Sequence, residues 1–248
     1  MTITTTERPS VSVHPSRREL GAAAAGVAAE HLRRALRSRG AATVMLAAAP
    51  SQEATLLALA EEPRLSWDRV TCYHMDDYVG LDPGAPQGFG AWLDRTFISR
   101  LPGVAFHRIP VDGDPETCAD LYAAQLPPAA FDLVLLGLGV NGHLAFNDPP
   151  ARFDDPHDTR VVTLDKVSRR QQVDEGHFPD LDAVPARAIT VTIPRLLHAD
   201  HIVTSVPGTE KRQAVLDTLT APIGPDHPST ALRTHPDVVL FLDTESAP

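Results

Sequence analysis

The chain has 248 residues, of which 43% are hydrophobic, so it is long enough to bury the core of one large α/β domain. Its 32 acidic residues outnumber its 22 basic residues and give a formal charge of −10, which argues against a broad attraction to nucleic acid or to an anionic membrane. A small anion can still bind locally, at a helix N-terminus or beside one or two basic side chains.

The N-terminal part of the chain carries two signals. Residues 1–16 are polar and contain two prolines, which predicts a mobile arm or a short first strand. The stretch "GAAAAGVAA" at 21–29 is too short to span a bilayer and runs directly into "EHLRRALRSRG". It therefore predicts the start of an amphipathic helix and not a signal or membrane segment.

From residue 42 onward, apolar runs alternate with helix-like periods. The runs that predict strands are 42–49, 69–76, 104–110, 131–139, 188–193, 201–206 and 238–243, and helical periods lie at 51–62, 113–126 and 210–220. Such alternation predicts a doubly wound, mostly parallel α/β sheet covered on both faces, within a single domain over residues 17–248. Residues 149–185 lack this periodicity and predict a lid over the site.

The two cysteines, Cys72 and Cys118, lie in predicted regular elements that are far apart in the sequence. This placement predicts buried free thiols, which suit a reducing compartment, so a cytoplasmic protein is expected. The sequence pattern leaves homo-oligomerisation open.

Unusual residues follow three of the predicted strands. Residues 49–52 follow the first clear strand, 75–80 the second and 137–150 the fourth. In doubly wound folds the ligand binds beyond the C-terminal ends of the strands, so these segments are expected to form one site.

The loop "LGLGVNGHLAFNDPP" at 136–150 contains Gly137, Gly139 and Gly142 in the spacing G-x-G-x-x-G. A dinucleotide site would require a helix after the third glycine, whereas this chain reaches a double proline within eight residues. The glycines instead favour a loop whose backbone passes close to a ligand. His143 is then either a histidine hydrogen-bonded into the core or a proton carrier oriented by Asp148.

Two further positions carry charged candidates. Asp76 and Asp77 are adjacent in "HMDDYVGL", and because neighbours on an extended chain point to opposite sides, one is expected to face the cleft and the other a structural partner. A simple helix or turn cap is the alternative, and with His74 they lack a convincing metal-ligand spacing. Lys211 starts a predicted helix, where a cation is unfavourable unless an anionic ligand meets it; the alternative is a solvated lysine.

Together these segments resemble the glucosamine-6-phosphate deaminase and 6-phosphogluconolactonase superfamily, from about Val44 to Asp243. "MDDYVGL" is similar to M-D-E-Y-V-G-L, and "GLGVNGHLAFNDPP" is similar to G-x-G-x-D-G-H-I-A-F-N-E-P. The resemblance implies a Rossmann-like fold, no cofactor, no metal and a phosphorylated amino sugar as the small-molecule partner. "GHLAFNDPP" and "MDDY" favour the deaminase branch.

For the site, the resemblance implies that His143, held by Asp148, opens the sugar ring. Asp76 would then move a proton from C2 to C1, so that the resulting imine is hydrolysed to a ketose and ammonia. Lys211 matches the phosphate-binding lysine of the superfamily. The substrate-binding residues implied beside it are Ala49, Ser51, Gly139 and Gly142.

The chain departs from the superfamily pattern at two places. Asn141 stands where an aspartate usually precedes the Gly-His pair, and an amide can orient a histidine but cannot take its proton. The phosphate loop T-G-[GS]-[ST]-P is replaced by "AAAPSQ" at 47–52, where Pro50 offers no N–H and Ser51 is expected to cap the next helix. For the second phosphate cation, Arg169 and Arg170 are only nearby candidates.

The resemblance predicts an aldose-ketose isomerase and deaminase acting on glucosamine 6-phosphate or a close analogue. Two alternatives stay open because of Asn141 and the altered loop. One is a sugar lactonase or non-deaminating isomerase of the same fold, and the other is a non-catalytic regulator that binds a sugar phosphate.

Overall fold

The structure, a computed structural model, describes residues 9–248. Its strands are β1 Ser10–His14, β2 Ala42–Leu46, β3 Val70–His74, β4 Asp76–Tyr78, β5 Ala105–His107, β6 Leu133–Leu136, β7 Thr159–Thr163, β8 Arg187–Val191, β9 Ile202–Val206 and β10 Val238–Asp243. Its helices are α1 Arg17–Arg39, α2 Pro50–Ala60, α3 Phe89–Thr96, α4 Pro115–Ala123, α5 Lys166–Asp174, α6 Ile193–Leu197 and α7 Arg212–Thr220.

Seven parallel strands form the central sheet, in the order β1-β10-β9-β6-β2-β3-β5. This confirms the predicted doubly wound, mostly parallel α/β fold. A mobile arm is wrong for Ser10–His14, because this segment pairs with β10 and forms an edge strand, as the alternative prediction had it. The rest of the predicted arm, residues 1–8, lies outside the described residues.

A second, three-stranded sheet has the order β4-β8-β7 and is antiparallel. The prediction that the run at 188–193 belongs with the parallel strands is therefore wrong in its pairing. A continuous apolar run indicates only that a strand is buried on both faces, and it does not specify the neighbouring strand. The pairing of Asp76 with Thr190 holds the segment after β3 at the edge of the site.

Both faces of the central sheet are covered. Along β2, Val44 and Leu46 pack into the cluster that includes α1 and α2, while Met45 packs into the opposite cluster with residues of α4, α6 and α7. This alternation follows from the two-residue period of a strand. Cys72 and Cys118 are buried and unpaired, as predicted.

Helix α1 begins at a side-chain cap, since the Ser16 hydroxyl accepts a hydrogen bond from the Glu19 N–H, and it ends at Gly40 in the left-handed conformation. None of the helices described between residues 9 and 248 is long and apolar enough to cross a membrane. The segment 149–185 contains β7 and α5, so it is not wholly irregular. Its action as a lid stays a prediction.

Candidate active site

A cavity opens at the C-terminal edge of the parallel sheet, where the loops after β2, β3 and β6 meet α5 and the turn before α7. The residues around it are mainly small or polar. They are Ala47, Ala48, Ala49, Ser51, Gln52, Met75, Asp76, Phe89, Gly137, Leu138, Gly139, His143, Ala145, Phe146, Gln171, Gln172, Glu175 and Lys211. Asp76 and His143, which follow different strands, therefore share one cavity.

Two glycines of the loop after β6 are required by close contacts. A Cβ on Gly137 would lie 2.7 Å from the Gln52 Nε2, and a Cβ on Gly139 would lie 2.3 Å from atoms of the His143 ring. Gly142 is not among the residues that line the cavity, and its predicted contact with substrate stays a prediction. With a φ of +79° it forms the turn, and its carbonyl accepts a hydrogen bond from the Ser229 N–H.

No helix follows this glycine loop directly, because α5 begins only at Lys166. The absence of a helix here removes the dinucleotide interpretation of the G-x-G-x-x-G spacing, as the double proline predicts.

Two side chains contact the His143 imidazole at Nδ1. Its Nδ1 lies 2.9 Å from the Ser168 hydroxyl and 3.1 Å from the Asp148 Oδ1. Because the single proton of Ser168 is donated to Asp148, the hydroxyl accepts from Nδ1–H, and Nε2 keeps its lone pair for the cavity. Burial raises the pKa of Asp148, but the neighbouring His143 imidazole and the hydrogen bonds from Ser168 and Asn141 outweigh it and lower the pKa overall.

Asn141 lies behind this relay and outside the cavity lining. Its Oδ1 accepts from the His143 N–H, and its Nδ2 donates to the Asp148 Oδ1 at 3.2 Å. The asparagine thus positions the carboxylate and makes no hydrogen bond to the imidazole. Ser168 was missed by the sequence analysis, since it lies 25 residues beyond His143 on another element.

The two neighbouring aspartates separate as the strand geometry predicts. Asp76 lines the cavity, while Asp77 accepts hydrogen bonds from the N–H groups of Tyr78, Phe89 and Gly90, and so caps α3. Burial, together with the charge of Asp77, raises the pKa of Asp76 well above its ordinary value. His74 is committed elsewhere, because its Nε2 accepts from the Ile109 N–H.

The opposite part of the cavity is suited to an anion. Lys211 is only 3% exposed and lines the cavity, and its ammonium makes no hydrogen bond or ion pair with any residue from 9 to 248. Burial lowers its pKa, an effect that Glu175 and Glu210 oppose. A buried unpaired ammonium is costly unless a ligand pairs with it, which disfavours the interpretation as a solvated lysine.

The N-terminus of α2 lies beside this lysine in the cavity lining. Ala49 is the N-cap residue without a side-chain hydrogen bond, so the prediction that Ser51 caps the helix is wrong: the helix already begins at Pro50. The Ser51 hydroxyl accepts from the Gln52 amide and faces the cavity. Gln52 was also missed, and its amide is fixed by the Ser205 carbonyl at 2.9 Å.

The arginine candidates do not reach the anion end. Arg169 donates to the carbonyls of Leu181 and Val184, and exposed Arg170 is absent from the cavity lining. In their place, Glu175 at the end of α5 lines the cavity. Among the described residues around the cavity, Lys211 is thus the lone lysine or arginine.

The sequence model of the glucosamine-6-phosphate isomerases/6-phosphogluconolactonase family matches residues 15–240. The chain belongs to this family. A glucosamine-6-phosphate deaminase of Exiguobacterium sibiricum is 33% identical over 73% of this chain and 72% of the relative. That of Rhodopirellula baltica is 30% identical over 96% of this chain and 94% of the relative.

Solved structures agree with the family assignment. A monomeric glucosamine-6-phosphate deaminase superimposes with a TM-score of 0.87 at 27% identity, over 96% of this chain and 98% of the other. A 6-phosphogluconolactonase from Shewanella baltica gives 0.81 at 17% identity, over 97% of this chain and 100% of the other, which shows the shared fold alone. The family is catalytic, and its members named here act on sugar phosphates.

Proposed function

We propose that the protein converts glucosamine 6-phosphate, or a close amino-sugar phosphate, to fructose 6-phosphate and ammonia. The observation that carries this proposal is the shared cavity, which is lined by the buried carboxyl group of Asp76, the imidazole of His143 and the unpaired ammonium of Lys211. The deaminase relatives at 30% identity and above support the same reaction.

In this proposal His143 catalyses ring opening. Its Nε2 takes the proton of the anomeric hydroxyl and returns it to the ring oxygen, so the pyranose opens to an aldehyde. Asp148 stabilises the imidazolium that forms in between, and Ser168 keeps the ring in the required tautomer. Gly139 leaves the space in which the imidazole lies.

Asp76 transfers the proton between C2 and C1. Its carboxylate removes the C2 proton of the open-chain amino aldehyde and delivers that proton to C1. The amino group loses a proton and the C1 carbonyl oxygen gains one, so that C1 becomes a hydroxymethyl carbon and C2 an imine carbon. Water then adds to the imine, and ammonia leaves with formation of the ketone. The raised pKa of Asp76 makes its carboxylate a stronger base than that of an ordinary aspartate, which favours removal of the C2 proton.

The phosphate is placed at the anion end of the cavity. Lys211 supplies the charge, and the hydroxyl and backbone N–H of Ser51, in the first turn of α2, supply further donors. This arrangement fixes C1 and C2 relative to Asp76, and positioning of this kind provides much of the rate in reactions without covalent intermediates.

The test is to incubate the purified protein with glucosamine 6-phosphate and to measure ammonia and fructose 6-phosphate together. Equal amounts of both are expected. Ligand binding with neither product, from this sugar or its galacto epimer, would identify a regulator, and hydrolysis of a sugar lactone would identify the lactonase alternative.

Asp76→Asn gives the sharper test of the mechanism. It should abolish exchange of the C2 proton with solvent while ligand affinity stays within about tenfold, or roughly 1.4 kcal/mol. Asp154→Asn, at an exposed position outside the cavity, is the matched control and should leave exchange unchanged. Persistent exchange in Asp76→Asn would remove this residue from the role of base.

A further inference from the structure

The face of α5 and its C-terminal end that line the cavity carry three polar side chains with no role in the steps above. Gln171, Gln172 and Glu175 all line the cavity together with Lys211. They extend from the region of the imidazole relay, which Ser168 joins on the same helix, toward the anion end.

The two neighbouring glutamines differ in how their amides are used. Both ends of the Gln171 amide are bonded, since its Oε1 accepts from the Val140 N–H at 3.2 Å and its Nε2 donates to the Glu175 Oε1 at 2.7 Å. Gln172 is 4% exposed, and its buried Oε1 has no hydrogen-bond partner among residues 9–248. Leaving a buried carbonyl oxygen without a hydrogen bond is unfavourable. A ligand that donates a hydrogen bond would recover this energy.

Glu175 adds a second acceptor with spare capacity. One of its oxygens accepts from Gln171, whereas the other lies 3.7 Å from the His177 Nε2, beyond hydrogen-bonding distance. As a carboxylate, Glu175 repels an anion that approaches Lys211 and attracts a cationic or strongly donating group. An anion-binding function alone does not account for its place in the lining.

We propose that Gln172 and Glu175 form a specificity subsite that accepts hydrogen bonds from hydroxyl or ammonium groups of the bound sugar. This inference rests on the proposed function, because it takes the ligand to be a sugar phosphate. Lys211 binds the phosphate of the ligand, and the α5 subsite accepts hydrogen bonds from another part of the same molecule. An analogue that lacks the donor leaves a buried acceptor unpaired, and sites of this kind discriminate strongly.

Binding of unreactive ligands tests the subsite apart from turnover. The probes are inorganic phosphate, a hexitol 6-phosphate and its 2-amino counterpart, each titrated by calorimetry. Gln172→Met should weaken both hexitol phosphates about tenfold and change phosphate affinity less than twofold. Gln213→Met, on the exposed face of α7, is the matched control and should change none of the three.

Glu175→Gln separates the two kinds of donor and removes the charge. A greater loss for the amino hexitol phosphate assigns the subsite to an ammonium, and equal loss for both assigns it to hydroxyls. Phosphate affinity should rise in this variant. Glu210→Gln is the matched control, because Glu210 also influences Lys211 electrostatically but does not line the cavity.

Two results overturn the inference: unchanged affinity for both hexitol phosphates in Gln172→Met and Glu175→Gln, or a parallel loss of phosphate binding. If the unaltered protein bound neither hexitol phosphate, the subsite and the sugar-phosphate premise would fail together. If it bound them with the expected variant pattern but released no ammonia from glucosamine 6-phosphate, only the proposed function would fail.

Discussion

Gly139→Ala should disable the enzyme through the imidazole without removing any catalytic group. The added Cβ would lie 2.3 Å from the Cε1 and Nδ1 of His143, whereas ordinary contacts begin at 3.4 Å, so the ring has to move by about 1 Å. The contact is with a ring that Ser168 and Asp148 already hold, and so it cannot be relieved by a flexible side chain. Misplacement of this size costs about 100-fold in rate, or roughly 2.7 kcal/mol of barrier.

The measurement is kcat/KM for ammonia release, with a thermal melt to verify folding. Overpacking of this kind is expected to lower the free energy of unfolding by about 1–3 kcal/mol. Gly26→Ala is the matched control, since nothing lies within 4 Å of its added Cβ, and in the interior of α1 it should stabilise the protein with no effect on kcat/KM.

A double-mutant cycle shows whether the loss passes through the imidazole. In a His143→Gln background, Gly139→Ala should add little further loss, because the affected group is already gone. A folded Gly139→Ala protein with the kcat/KM of the unaltered enzyme would contradict this prediction, and so would full additivity in the cycle.

Three further predictions concern the relay, the base and the anion end. Ser168→Ala should lower kcat about tenfold with KM nearly unchanged, and it should shift the pH profile of ring opening, whereas Ser168→Thr should restore part of the rate. An unchanged pH profile in Ser168→Ala would show that the hydroxyl does not act through His143. The kcat/KM of the unaltered enzyme should rise with pH through the raised pKa of Asp76, and Asp77→Asn should move this rise to lower pH because it removes a negative charge beside Asp76. The same variant should have a lower Tm, because the cap of α3 is weakened. A pH profile that does not move would contradict the assignment of the rise to Asp76. Lys211→Met should weaken the affinity for inorganic phosphate about 100-fold, and phosphate binding to the unaltered protein should decrease as the pH rises through the lowered pKa of Lys211. Equal phosphate affinity in both proteins would show that the anion binds elsewhere.

Much of the fold follows from local patterns. Apolar runs at 42–49, 69–76 and 201–206 predict buried strands, and each of these segments contains one. The two signature loops lie at strand ends, where parallel strands bring their C-terminal residues to one edge. Alternation along an extended chain likewise predicts that Asp76 and Asp77 take different surroundings.

The partners that these residues contact depend on how distant elements pack in three dimensions. Local periodicity reports burial but not the neighbour, so the pairing of β8 with β4 and β7 could not be foreseen. The same reason hid Ser168, which reaches His143 only because the segment after β7 folds back over the cavity as α5. It also hid the unpaired oxygen of Gln172, since whether a buried polar atom has a partner depends on packing between elements distant in sequence.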